Sequence, residues 1–269
     1  KLFLMKNSQR NKTKRGYFIL VPLILFLFLI LIFFLNFETR RQIVKYSILS
    51  FPSQFSVKEY PVLDKNLFPE ISAKGAIVVD RKSKVVLYQK NPDLRFAPAS
   101  TTKIMTALVA LEHFELEDLL TVSEDSDPIG PVRYKSGERV KFEDLLYSMM
   151  LPSSNDAAEI ISENYPGGVS SFVGRMNEKA SEMSLKNTHY EEPVGLLDTK
   201  NYTSPRDLAI LSSAAMDNET FAKVVGTKDK IVYDADTNFP LLLKNLNRLL
   251  DISGVTGIKT GYTQEAGQV

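Results

Sequence analysis

The sequence predicts an α/β domain, a sheet carrying a mostly helical insertion, standing behind one membrane-spanning segment. Three observations lead there. β-rich runs open and close the stretch from residue 76 to the last residue. Between them apolar residues recur at helical spacing rather than at the alternation of a strand. Ahead of all this, residues 17–35 form nineteen consecutive apolar positions.

The composition bounds the rest. A chain of 269 residues with 44% hydrophobic and 24% charged residues is neither disordered nor collagen-like, and is long enough for a real core. It has no cysteine, which excludes disulfides, a thiol nucleophile and zinc–thiolate sites, and its two histidines leave little for a His-based metal site. The net charge of +1 gives no reason to expect a nucleic-acid partner.

The elements follow in chain order. Lys1, Lys6, Arg10, Lys12, Lys14 and Arg15 are six cations without an acid in residues 1–16. At about 1.5 Å per residue, the run behind them spans a hydrocarbon core of roughly 30 Å. No small-residue cleavage pattern follows it. Residues 17–37 are therefore expected to be an uncleaved transmembrane helix, with the basic tail in the cytoplasm and the remainder outside. The expected place is the cell membrane, in single-pass form. Pro52, Pro61 and Pro69 mark residues 38–72 as a spacer. The runs 76–80 and 85–89 read as a hairpin. Ile104, Ala107, Leu108 and Leu111 give a helix that starts after Pro98-Ala99-Ser100. Further helices are expected at 141–151, 156–164, 171–183 and 205–216, a short strand at 231–233, and a strand at 257–259 entering Gly261.

Three short motifs carry chemistry. Ser100-Thr101-Thr102-Lys103 opens the first helix, and residues three apart share a helix face, so Ser100 Oγ and the Lys103 amine can meet. Serine needs an adjacent base, and a lysine serves once burial has lowered its pKa. Ser153-Ser154-Asn155 stands where Pro152 ends one helix and the next begins. In Lys259-Thr260-Gly261, the lysine and hydroxyl suit a carboxylate, and the glycine admits a close backbone approach. Two near-matches, Ser162-Glu163-Asn164 and Lys135-Ser136-Gly137, read as a helix stop and a loop.

The order S-x-x-K, S-x-N, K-T-G is a signature of penicillin-binding proteins and class A β-lactamases. From about Lys74 onward the chain resembles the D-alanyl-D-alanine carboxypeptidases, the low-molecular-mass penicillin-binding serine peptidases. The stretches Arg95-Phe-Ala-Pro-Ala-Ser-Thr-Thr-Lys103, Tyr202-Thr-Ser-Pro-Arg-Asp-Leu-Ala209 and Gly257-Ile-Lys-Thr-Gly-Tyr-Thr263 carry the likeness, together with the Leu-Pro-Ser-Ser-Asn-Asp-Ala-Ala run ending at Ala158. The resemblance implies a penicillin-binding/β-lactamase-like transpeptidase fold over residues 73–269, an antiparallel sheet with a helical subdomain. It implies that Ser100 is acylated, that Lys103 is its base, that Ser153 relays a proton and that Asn155 holds the substrate amide and Lys103. Lys259 and Thr260 would bind the terminal carboxylate. The N–H groups of Ser100 and Tyr262, beside Gly261, would receive an oxyanion. The implied reaction removes the terminal D-Ala of peptidoglycan stem pentapeptides, with β-lactams as inhibitors and no metal or cofactor. Cross-link endopeptidase and serine β-lactamase are the alternatives, with a non-enzymatic relic of the fold behind them.

The chain departs from the pattern in places. Where many such proteins have Asn-Pro-x-Gly-Leu, it has Glu192-Pro-Val-Gly-Leu196, so Glu192 is either a deacylation base or a solvated loop residue. His189 with Glu191 and Glu192 has no metal-ligand spacing, and His113 lies on a polar helix face. The first residue is Lys1, Met5 is the first methionine, and the last residues are Gly267-Gln268-Val269, so the sequence reads as partial. Members of that family continue with two more strands and a helix. The sheet is therefore expected to show a gap, and the 269 residues alone are expected to fold poorly or to lack activity.

Overall fold

The computed structural model describes residues 69–127, 130–196, 200–233 and 240–269, together with Ile30 and Ile32. The chain divides into two units, Lys1–Tyr60 and Pro61–Val269. The basic tail, the expected membrane span and most of the spacer lie outside the described residues. Ile30 and Ile32 are helical, and among the described residues no helix is long and apolar enough to cross a membrane.

The second unit opens with the expected hairpin, β1 (Ala76–Val79) paired antiparallel with β2 (Val86–Lys90). Asp80 makes the turn by accepting from both the N–H and the Oγ of Ser83 at 2.6 Å. A 3-10 turn, Ala99–Thr102, then runs into α1 (Lys103–Leu111). The expected apolar stripe on α1 is incomplete. Met105, Val109 and Ala110 are buried as well, and so is Lys103 itself. A helix apolar all round belongs inside a core, and α1 is packed among the helices that follow. The strands β3 (Leu119–Thr121) and β4 (Arg139–Lys141) pair with each other and bury only Leu120 and Val140. Three residues per strand are too few for an alternation signal, so the sequence does not announce them.

The helical layer follows the expected order: α2 (Phe142–Met150), α3 (Asn155–Glu163), α4 (Gly168–Glu182) and α5 (Pro205–Ala215). Glu143 and Asp144 sit on the positive end of α2. Ser154 caps α3 by accepting from the Ala157 N–H, and Ser204 caps α5, where Pro205 takes the first turn. Phe142, Leu145, Leu146, Met149, Phe172 and Phe221 form the heart of the core. A further short helix, α6 (Glu219–Val225), follows the Asn218 cap and was not legible in the sequence.

The strand expected at 231–233 is longer, β5 (Asp229–Tyr233), and pairs with β6 (Pro240–Lys244). The strand expected at 257–259 does not form; no ladder bonds join it to another strand among the described residues. The strand lies just beyond it, β7 (Tyr262–Thr263), paired with β8 (Gly267–Gln268). The expected antiparallel sheet is thus four separate two-stranded sheets among the described residues. The β1–β2 and β7–β8 hairpins share no ladder. A cleft of about 860 Å³ is lined by β1, by the start of α5 and by residues 264–269.

Candidate active site

The site is assembled where α1 begins. Ala99, just before the serine, has φ 47, a left-handed conformation that a Cβ makes costly. Ser100 follows in the 3-10 turn, and Lys103 begins α1 on the same side. Its Nζ lies 3.2 Å from Ser100 Oγ, as the spacing predicts. The amine also lies 2.8 Å from Asn155 Oδ1, at the start of α3, and 2.9 Å from the Val194 carbonyl. The lysine is 0% exposed. Burial, assisted by the charge of Lys259 and opposed by Glu192 and Glu159, pulls its pKa down to about 7. The amine can therefore stand neutral near neutral pH.

The two serines of the middle motif part company. Ser154 Oγ is occupied by the α3 cap. Ser153 has φ 67, and its buried Oγ makes no hydrogen bond among the described residues. A buried hydroxyl without a partner is costly, and the positive φ adds strain at the same residue.

The third motif passes directly beside the serine. A Cβ on Gly261 would lie 3.2 Å from Ser100 N and from Ala99 Cβ, so the glycine allows this approach. Gly261 exchanges both backbone bonds with Val269, at 3.0 and 2.9 Å. Strand alternation then turns the Tyr262 N–H toward the edge away from β8. Lys259 Nζ donates to the Thr260 carbonyl at 2.8 Å, and burial lowers its pKa to about 8.

A fourth wall comes from a stretch outside the three motifs. Residues 192–196 close over the Ser100 turn. Val194 supplies the carbonyl that meets Lys103, and Thr106 Oγ donates to the Pro193 carbonyl at 2.6 Å. Gly195 has φ 96, and a Cβ there would come within 1.9 Å of the Ala99 carbonyl oxygen. Glu192 fits neither reading offered for it. Its Oε2 accepts from Val194 N–H at 2.5 Å. Its Oε1 accepts from the N–H groups of Gly195 and Leu196 and from Asn201 Nδ2, at 2.7, 2.8 and 2.6 Å. A carboxylate engaged so fully is not a solvated loop residue, nor is it poised to activate water. The Glu-Pro-x-Gly-Leu run was the visible signal; the fold around Glu192 was not.

The near-matches are structural. Asn164 ties α3 to Thr121, accepting its N–H and donating to its carbonyl at 2.9 and 2.8 Å. Ser136 lies in a turn on Asp125, with Gly137 at φ 86. His189 pairs with Glu191 at the surface, and His113 lies edge-on to Tyr165 and Phe114.

If neutral Lys103 is the base and charged Lys259 the anion site, kcat/KM on a peptide with a free terminal carboxylate rises with pH through about 7 and falls again from about 8. A pH–rate profile checks both limbs. A rate still climbing through pH 9 would remove Lys259 from that role.

The chain is similar to known proteins over most of its length. Residues 63–269 match the family model for D-alanyl-D-alanine carboxypeptidase. The D-alanyl-D-alanine carboxypeptidase DacF of Bacillus subtilis is 37% identical over 203 residues, 72% of this chain. A D-alanyl-D-alanine endopeptidase of Pseudomonas aeruginosa is 35% identical over 225 residues, 81% of this chain. The chain spans about half of the Bacillus protein, 52%, and 72% of the Pseudomonas one. The crystal structure of the Streptomyces K15 DD-transpeptidase superposes with a TM-score of 0.67 at 34% identity, covering 74% of this chain and 84% of that one. The penicillin-binding transpeptidase fold expected from the sequence is thereby established. A family match over most of the chain, reached independently of the geometry around Ser100, leads to one assignment: the chain belongs to the D-alanyl-D-alanine carboxypeptidase family, the S11 serine peptidases.

Proposed function

We propose that the protein is a serine-type D-Ala-D-Ala carboxypeptidase that trims peptidoglycan stem pentapeptides through an acyl-enzyme on Ser100. One observation carries the reading: the buried Lys103 amine meets Ser100 Oγ and two carbonyl oxygens. A neutral amine has two N–H bonds and one lone pair. Asn155 Oδ1 and the Val194 carbonyl take the N–H bonds, so the lone pair is left for the Ser100 O–H.

The steps then follow. Ser100 Oγ attacks the carbonyl carbon of the penultimate D-Ala, and its proton passes to Lys103 Nζ. The N–H groups of Ser100 and Tyr262 receive the oxyanion. As the C–N bond breaks, Ser153 Oγ hands a proton to the departing D-Ala amine and is reprotonated from Lys103. Asn155 holds the substrate amide, and Lys259 and Thr260 hold the terminal carboxylate, with Gly261 leaving room for the peptide backbone. Water then hydrolyses the ester and restores Ser100. A β-lactam enters as a peptide mimic and acylates the same oxygen.

A second reading, cleavage of D-Ala-D-X cross-links, is favoured by the endopeptidase name of the Pseudomonas relative. The β-lactamase reading loses its support, because the only deacylation base suggested for it, Glu192, is engaged by four donors. Placement at the cell membrane belongs to the same proposal, with 1–16 inside, 17–37 as a single-pass anchor and the domain outside. Nineteen apolar residues behind six cations support it.

The test is to weigh the products of a pentapeptide muropeptide incubated with the full-length protein. Loss of one alanine, absent in Ser100→Ala, is expected. Intact pentapeptide beside cleaved cross-links would favour the endopeptidase, and no cleavage of either by a folded protein would sink the proposal.

A further inference from the structure

The Glu192 carboxylate is the most heavily bonded acid near the site, and the mechanism above does not use it. Three successive N–H groups, of Val194, Gly195 and Leu196, converge on it, an anion nest closed within one loop. Asn201 Nδ2 adds a fourth donor, while its Oδ1 accepts the Glu191 N–H at 2.7 Å. The loop so tied does two things at once. It points the Val194 carbonyl at Lys103 Nζ, and it lays Gly195 on the carbonyl of Ala99, next to the nucleophile.

We propose that Glu192 is a positioning residue for the base: its carboxylate ties residues 192–196 into the one shape that seats the Val194 carbonyl on the Lys103 amine. The proposal rests on the peptidase reading of Ser100 and Lys103. It assigns Glu192 a part in acylation, not in activating water. A glutamine there would turn an NH2 group toward one of the backbone donors and abolish the charge.

The position has an electrostatic consequence. The charged groups acting on Lys103 are Lys259 ahead of β7, Glu192 in the loop and Glu159 on α3. Lys259 favours the neutral amine, and the two acids favour the ammonium. Glu192→Gln removes one acid and loosens a carbonyl acceptor. Both losses make Lys103 easier to deprotonate, so the acid limb of acylation moves to lower pH.

The experiment measures Ser100 acylation by penicillin against pH, by intact mass, in the full-length protein and two variants, each first melted to establish folding. Glu192→Gln is expected to lower the maximal rate roughly tenfold to a hundredfold. It should also shift the acid limb down by about half a pH unit or more. Glu192→Asp keeps the charge but not the reach, so only the carbonyl acceptor is loosened; its maximum is expected to fall and its limb to move down by less than that of Glu192→Gln. A folded Glu192→Gln protein with the parent's limb overturns the proposal, whether or not its maximum falls, because a merely structural role lowers the rate without moving the limb. Should Glu192→Gln give no cooperative melt, Glu192→Asp decides: an unchanged maximum or an unmoved limb overturns the proposal, and a reduced maximum on a lowered limb supports it. If the parent itself is not acylated, the peptidase reading fails instead, so the two failures are distinct.

Discussion

Replacing Lys103 by methionine is expected to lower the acylation rate of Ser100 by roughly 10³- to 10⁴-fold while the protein still folds. Methionine nearly matches the lysine stem in length and is at home in a core. Lys103 is fully buried at the start of α1, and its Nζ meets three oxygens. The substitution therefore removes the proton acceptor and little of the packing. It leaves Asn155 Oδ1 and the Val194 carbonyl without their donor, which costs about 1–3 kcal/mol for each group that stays buried. Part of that is returned, because a buried amine no longer has to be kept neutral or desolvated. A modest change in melting temperature with a near-complete loss of acylation is thus the signature of a base. Stopped-flow acylation with a chromogenic β-lactam measures the rate. A variant that keeps more than a tenth of the parent's rate would show that another group takes the Ser100 proton.

Gly195→Ala is expected to be nearly as damaging, without touching a reacting atom. At φ 96 an alanine is strained, at a cost of about 1–3 kcal/mol. Its Cβ would also fall 1.9 Å from the Ala99 carbonyl oxygen, and the backbone of the Ser100 turn cannot share that space. Either residues 192–196 lift away, taking the Val194 carbonyl from Lys103, or the turn shifts and Ser100 Oγ leaves its position. Both routes predict an acylation rate reduced by about 10²-fold, as for a displacement of about 1 Å at a reacting atom. The melting temperature falls as well. Comparison with Gly174→Ala is the control: nothing lies within 4 Å of its added Cβ, and it sits within α4. That change should leave acylation intact. Equal effects from the two variants would contradict the close packing of the 192–196 loop on the nucleophile.

Much of this site is legible in the sequence because its chemistry is local. Ser100 and Lys103 are held together by the pitch of one helix, so their spacing already implies their contact. Asn155 is legible as a motif, and its arrival at Lys103 requires the packing of α3 on α1. Val194 is different. Its carbonyl reaches an amine 91 positions earlier in the chain, and backbone oxygens leave no trace in residue identity. Glu192 was visible as a residue, but its role depends on three backbone N–H groups that only the folded loop aims. The long helices were legible by their period and caps, whereas β3, β4 and β8 are too short to show one. The strand expected at 257–259 does not form because a β-former such as Ile258 marks only a local preference, while a strand also requires a partner for its ladder.

The central claim is that Ser100 is acylated by way of a neutral, buried Lys103. Intact-mass measurement of penicillin adduct formation across pH 5–9, on the full-length protein and on Ser100→Ala, tests it most directly. The account predicts one adduct per chain, formed at a rate that rises through about pH 7 and absent from Ser100→Ala. An adduct that persists in Ser100→Ala, or a rate indifferent to pH across that range, would contradict it.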